Sequence, residues 1–357
     1  MTSKLQCEIS WFSALCDDDY EFLGQPDPAL ASSWEHCRNI VLNAEKGGFD
    51  NILLPSGYAL GMDTTVFAAA IATLTSRIRL LMAVRIGETW PPQLARQIAT
   101  LDHILGGRLT INIISSDMPG EKMESEPRYR RTIEAMHILK TLLNGDHLSH
   151  QGEHYQLDLA PPRMATVSGK CPPLYFGGLS PAAKDAAAEG CDVYLMWPET
   201  VQGAADLIAD MTARAAAKRR ALKYGFRAHV IVRETEDVAR RAADRLLSKL
   251  DADKGTEIRN KSLDAQTYGV ARQAELREAS AANDGYIEDN LWTGIGRARS
   301  GCGAAIVGNP DQVLAKLKAY QAVGIEAFIL SGYTHIGECD MFARYVMPHI
   351  DHGPLIV

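Results

Sequence analysis

The sequence has no C-x-x-C pair. Its seven cysteines, Cys7, Cys16, Cys37, Cys171, Cys191, Cys302 and Cys339, are odd in number and scattered. That excludes a regular disulfide framework and a zinc knuckle, and it makes a reducing cytoplasm the expected compartment. There is no block of Lys and Arg, and the formal net charge is -7. Nothing general therefore draws the chain to nucleic acid or anionic membranes, and any anionic ligand has to be met by a few placed cations. No apolar run approaches a membrane span, and MTSKLQCEISWF at the amino terminus lacks a signal core. G-x-S-x-G, Walker and H-E-x-x-H patterns are missing too, and GIGRARSG (294–301) lacks the third glycine of a dinucleotide fingerprint. What remains is a soluble, cytoplasmic, enzyme-sized protein of 357 residues, 46% of them hydrophobic.

Short apolar runs recur at 6–12, 51–54, 78–84, 109–114, 173–177, 192–196, 226–232 and 326–331. Between them lie stretches of helical periodicity at 32–47, 64–75, 91–104, 128–144, 181–189, 200–220, 235–250 and 310–323. Alternation with no evident linker favours one (β/α)8 barrel over residues 1–357, although the pattern alone also admits a doubly wound sheet. From 251 to 296 the chain turns polar and irregular before the final helix and strand. Such an insertion is either a mobile lid over the site or a solvated helical excursion.

Barrel sites lie at the carboxyl ends of the strands. Asn112, the Gly177-Gly178-Leu179-Ser180 turn, Trp197, the pair Arg227 and His229, and the run Ser331 to His335 all fall there. In PLYFGGLSPAAKDAA, exposed N–H groups at a helix start suit a phosphate; Ser180 as a plain N-cap is the alternative. His147, His150 and His154 in HLSHQGEH read as a surface hairpin, so no metal site is expected. Arg227 and His229 are two apart on a strand and so share a face. A buried arginine needs an anion, and few carboxylates sit at neighbouring strand positions, which points to an external anionic ligand over an internal salt bridge.

Longer blocks carry a family likeness: ARQIATLDHILGGR (95–108), RYRRTIE (128–134), CPPLYFGGLS (171–180), DVYLMWPE (192–199), FRAHVIVRET (226–235), DNLWTGIGRARSGCGAAIVG (289–308) and FILSGYTHI (328–336). In these blocks the chain resembles the bacterial luciferase-like flavin monooxygenases, and within them the FMNH2-dependent alkanesulfonate monooxygenases. The resemblance implies a (β/α)8 barrel and a homodimer or homotetramer. It also implies reduced FMN (FMNH2) from a separate NAD(P)H:FMN reductase, and cleavage of a C–S bond with O2 to sulfite and an aldehyde. Carried over by position, Trp197, Arg227, His229, Arg299, Tyr333 and His335 would form the pocket where sulfonate meets flavin. Asn112, Tyr129, Gly178, Leu179 and Ser180 would hold the ribityl chain and phosphate. Within the same fold, a flavin or deazaflavin enzyme on a sulfur-free substrate and a non-catalytic flavin-binding barrel are the alternatives.

Two departures concern substrate-facing loops. Where the alkanesulfonate enzymes carry a histidine after their first strand, this chain has Leu15-Cys16-Asp17-Asp18-Asp19, and their following glutamate has no clean match near Gln25-Pro26-Asp27. Their cysteine after strand two is replaced by Leu60 or Gly61 in PSGYALGMD. Cys16 and Asp17 thereby become candidate substrate contacts. Asp17 to Asp19 read either as acceptors for the hydroxyls of a sulfosugar such as sulfoquinovose or as a solvated acidic turn.

Overall fold

A computed structural model of the chain describes residues 6–58, 61–260, 267–299 and 301–356. The strands are Glu8–Phe12 (β1), Asn51–Leu54 (β2), Arg79–Arg85 (β3), Leu109–Ile114 (β4), Leu148–Gln151 (β5) and Gln156–Leu159 (β6). They continue with Leu174–Phe176 (β7), Val193–Met196 (β8), Lys223–Val232 (β9), Tyr286–Glu288 (β10), Leu291–Trp292 (β11), Ala305–Gly308 (β12) and Ala327–Ser331 (β13). Among the described residues β1, β2, β3, β4, β7, β8, β9 and β13 pair in parallel, and β13 pairs back onto β1 to close a barrel. The eight apolar runs of the sequence are these eight strands, and the doubly wound sheet is excluded.

Side-chain alternation builds two packing layers. Phe12, Leu53, Leu81, Tyr175, Val193 and Ile329 form one buried cluster, while Ile9, Trp11, Ile52, Phe226, Ala228 and Phe328 belong to a larger one that includes the helices. Helix starts are set by local chemistry: Ser33, Asp63, Ser180, Thr200 and Thr235 each cap with a side-chain oxygen, and Asn309 forms a capping box with Gln312. β5 and β6 are an antiparallel hairpin outside the barrel. There His147 faces Asp158 at 2.6 Å and His150 faces Glu134 at 3.1 Å, each histidine on its own carboxylate.

The segment 251–296 is more ordered than its composition suggests, although residues 261–266 within it lie outside those described. It forms helices Ala252–Asn260 and Tyr268–Ala279 and the antiparallel pair β10–β11. It also leads into β12, a strand not expected from the sequence. β8 accompanies β9 only as far as Phe226; β12 pairs with β9 from His229 to Val232. The chain just before β12, which carries Arg299 and Cys302, is thereby delivered to the upper end of β9: Cys302 Sγ approaches the Arg227 carbonyl at 3.6 Å.

Candidate active site

A cavity of about 930 Å³ opens at the carboxyl ends of the strands. Asn112 from β4, Tyr129, the turn Gly177 to Ser180, Trp197, Arg227, Cys16, Asp17 and Arg299 all reach it. The candidate flavin residues thus share one wall. The two glycines of that wall are required by close approach: a Cβ on Gly177 would stand 2.0 Å from the Leu195 carbonyl oxygen, and one on Gly178 2.6 Å from Ala183 Cβ. Ser180 Oγ accepts from Ala183 N at 3.2 Å, so it does serve as N-cap, at the head of a helix whose amino end abuts the cavity.

Arg227 is 3% exposed. Its Nη1 donates to the Ala228 carbonyl at 2.6 Å, its Nη2 donates to Ser331 Oγ at 2.8 Å, and the guanidinium lies 4.2 Å from the Phe12 ring centroid. None of these partners is charged, and among the described residues no carboxylate pairs with it. Ser331 Oγ in turn is 2.8 Å from His229 Nδ1. Since arginine can only donate, Ser331 Oγ accepts from Arg227 and links it to the imidazole. His229 Nε2 is buried without a partner among the described residues. Burial, then the charge of Arg227 and of His335, pushes the His229 pKa well below its ordinary value, so the ring is neutral.

His229, Tyr333 and His335 lie one contact behind the cavity wall, not on it. Tyr333 stacks on His229 at 5.3 Å and meets His335 edge-on at 5.4 Å. Burial raises the Tyr333 phenol above its usual pKa, with Arg299 and Arg227 pulling it back, so it is a proton donor. Burial likewise raises the Cys16 thiol, which is therefore not a thiolate nucleophile.

Arg299 lines the cavity and carries an internal partner, its Nη1 being paired with Asp17 Oδ2. Asp17 and Asp18 line the cavity too, each with hydrogen bonds of its own. Asp17 also accepts from the Tyr20 hydroxyl at 3.2 Å, Asp18 accepts from Ser32 N at 2.8 Å, and Asp19 is 0% exposed between His36 and His335. Of the two positions considered for the missing cysteine, Leu60 lies outside the described residues. Gly61 sits at φ +88° where a Cβ would meet the Leu15 carbonyl oxygen at 1.5 Å, so the loops after β1 and β2 are locked together there.

Glu199 and the 268–279 helix were not singled out from the sequence. Arg272 grips Glu199 with two hydrogen bonds of 2.6 and 2.9 Å, Gln273 donates to the Pro198 carbonyl at 2.7 Å, and Gly269 lies against Trp197. This ties the helix over the cavity mouth beside Trp197. Only the polarity of the segment, with an arginine and a glutamine four and five residues beyond Tyr268, hinted at it.

A parallel eight-stranded barrel with a cavity at its carboxyl end, lined by a glycine turn and by a buried arginine that no carboxylate pairs with among the described residues, is an enzyme architecture. The chain belongs to the luciferase-like monooxygenase family, whose pattern matches residues 21–327. It is 69% identical over 360 residues to a sulfoquinovose monooxygenase of Novosphingobium aromaticivorans, covering 99% of each chain. It is 53% identical to a sulfoquinovose monooxygenase of Agrobacterium fabrum, covering 96% of this chain and 89% of that one. Among solved structures, a riboflavin lyase crystallised with modified FMN and riboflavin superposes with a TM-score of 0.76 at 17% identity, over 96% of this chain and 91% of that one. At that identity the likeness is one of fold. No helix of the described residues is long and apolar enough to cross a membrane.

Proposed function

We propose that the protein is a reduced-FMN-dependent monooxygenase that cleaves the C–S bond of sulfoquinovose with O2, giving sulfite and an aldehyde, with FMNH2 delivered by a separate reductase. The observation that carries this reading is Arg227: a guanidinium 3% exposed, facing the cavity and, among the described residues, hydrogen-bonded only to neutral groups. A buried, uncompensated charge is costly unless a ligand completes it, and a sulfonate is a permanent anion matched to a guanidinium. The substrate itself is taken from the two relatives named for it.

Bound reduced FMN supplies the electrons with which one oxygen atom enters the substrate and the other leaves as water. Asn112, Tyr129 and the Gly178–Ser180 turn would hold its ribityl chain and phosphate; backbone N–H groups at the helix start and a closely packed glycine turn fit such a group. Arg227 fixes the sulfonate. Arg299 joins it when the anion competes with Asp17, and Trp197 walls the site against water. Tyr333 keeps its proton and His229 stays neutral; standing one contact behind the cavity wall, Tyr333 and His335 are suited to relaying a proton that leaves the site, not to touching the sulfur-bearing carbon. The segment 251–296 serves as the lid, anchored through Arg272 and Glu199.

The test is a panel. Sulfite release from sulfoquinovose, hexanesulfonate and methanesulfonate is compared in air with FMNH2. Preference for sulfoquinovose supports the reading, and release from the alkyl compounds alone removes it.

A further inference from the structure

Asp19 has no basic Lys or Arg against it among the described residues, although it is 0% exposed. Its surroundings are instead two histidines from distant parts of the chain. Oδ1 accepts from Tyr20 N at 2.8 Å and stands 2.9 Å from His335 Nδ1. Oδ2 accepts from His335 N at 2.9 Å and stands 3.1 Å from His36 Nε2. All four lone-pair directions of the carboxylate are thus occupied. The Nδ1 approach lies off the N–H axis, so that nitrogen counts as lacking an aligned bond, and His335 Nε2 has no partner at all among the described residues. Burial alone would raise the Asp19 pKa, yet His335 and His36 hold it well below the ordinary carboxylate range.

We propose that Asp19 is a positioning residue: standing 2.9 Å from Nδ1, it fixes the N–H of His335 there and leaves Nε2, which has nothing within reach among the described residues, as the working atom beside Tyr333. Several features fit together only in this way. His335 opens the helix His335–Tyr345 with its backbone N–H on Asp19, so the same carboxylate sets both the main chain and the ring. The ring is confined by Phe12, stacked at 6.1 Å, and by Tyr333, edge-on at 5.4 Å. His36 closes the outer side of the carboxylate from helix Trp34–Lys46, leaving no vacant acceptor through which water would compete. A carboxylate behind an imidazole selects its tautomer, and an amide in the same place can reverse that choice by offering its own N–H. The titratable groups around His335 are Asp19, Tyr333 and, through space, His229; around Asp19 they are His36, His335, Tyr20, Tyr333 and Cys37.

The kinetic arm of the test rests on the desulfonation reading; the spectroscopic arm does not. In ¹⁵N-histidine spectra of the full wild-type chain, with His335→Gln assigning the signal, His335 is expected to show a protonated Nδ1. Asp19→Asn moves that signal toward an unprotonated Nδ1. In single turnover with photoreduced FMN and sulfoquinovose, Asp19→Asn slows sulfite release roughly 10- to 100-fold, while affinity for reduced FMN stays within about twofold because the flavin wall is remote from Asp19. The double variant D19N/H335Q is no slower than H335Q alone, since one residue acts through the other. An unprotonated Nδ1 in the wild type, which needs no variant to fold, overturns the proposal, as do multiplicative effects in the cycle. Absence of sulfite from the wild type would remove the desulfonation reading and leave the spectra to decide the role of Asp19.

Discussion

Arg227→Met separates a structural arginine from one kept for a ligand. The substitution conserves length and packing over Phe12 but removes a charge with only neutral partners. In the free protein the guanidinium gains hydrogen bonds to the Ala228 carbonyl and Ser331 Oγ at 2.6 and 2.8 Å, worth about 1.5–3 kcal/mol each. A cation–π contact adds roughly 1 kcal/mol. Against these stands an effective desolvation penalty of several kcal/mol for an ion with no counter-charge. The terms nearly cancel, with the balance toward the neutral side chain, so R227M is expected to be as stable as the wild type or about 1 kcal/mol more so. Catalysis should behave in the opposite way. Losing one partner of a buried, hydrogen-bonded charge pair with the sulfonate costs about 2–5 kcal/mol, so kcat/KM falls by roughly 30- to 5,000-fold. Thermal unfolding without ligand and sulfite-release kinetics measure the two quantities. A variant destabilised by more than about 2 kcal/mol that keeps kcat/KM within tenfold would show Arg227 to be a structural residue and refute the anion-site reasoning.

Other perturbations follow from the same geometry. Asp17→Asn frees Arg299 from its internal partner, and the KM for sulfonate should fall by roughly 2- to 10-fold; an unchanged or higher KM would mean Arg299 is held in place for the substrate rather than competed for. His229 has a depressed folded-state pKa, so its contribution is present above the unfolded value near ~6.5 and declines as pH falls below it, by at most about 1.4 kcal/mol per pH unit. Denaturant titrations at pH 7.5 and 5.5 should show that decline, and His229→Gln should flatten it. Arg272→Ala cuts the two hydrogen bonds to Glu199. Because the arginine is 39% exposed, stability should change by less than about 1 kcal/mol. The ratio of sulfite formed to FMNH2 oxidised should drop; an undiminished ratio argues against the lid.

Much of the scaffold was legible because a period of two or 3.6 survives in the residues. Arg227 and His229 alternate with Phe226, Ala228 and Val230, and that alternation places one set toward the cavity side and the other among the helices. β12 was hidden because four residues, AIVG, follow a glycine-rich turn and carry no alternation long enough to read. β10 and β11, three and two residues long, are shorter still. The charge partners were hidden for another reason. Asp17 and Arg299 are 282 positions apart, and Asp19 and His335 are 316 apart, so each carboxylate's role is decided only when the barrel closes. A signal was nevertheless present. In a closed barrel the first and last strands are neighbours, so the loops after β1 and β13 must meet. A run of three aspartates in one and a Tyr-Thr-His in the other already implied a carboxylate–imidazole contact.

The most direct measurement is a single turnover: the chain, photoreduced FMN and sulfoquinovose are mixed with and without O2, and sulfite is counted against flavin oxidised. The expected result is close to one sulfite per FMNH2 in air and none under anaerobic conditions. Flavin reoxidation in air with no sulfite, or sulfite formed without O2, would contradict the assignment of this cavity to oxygen-dependent C–S cleavage.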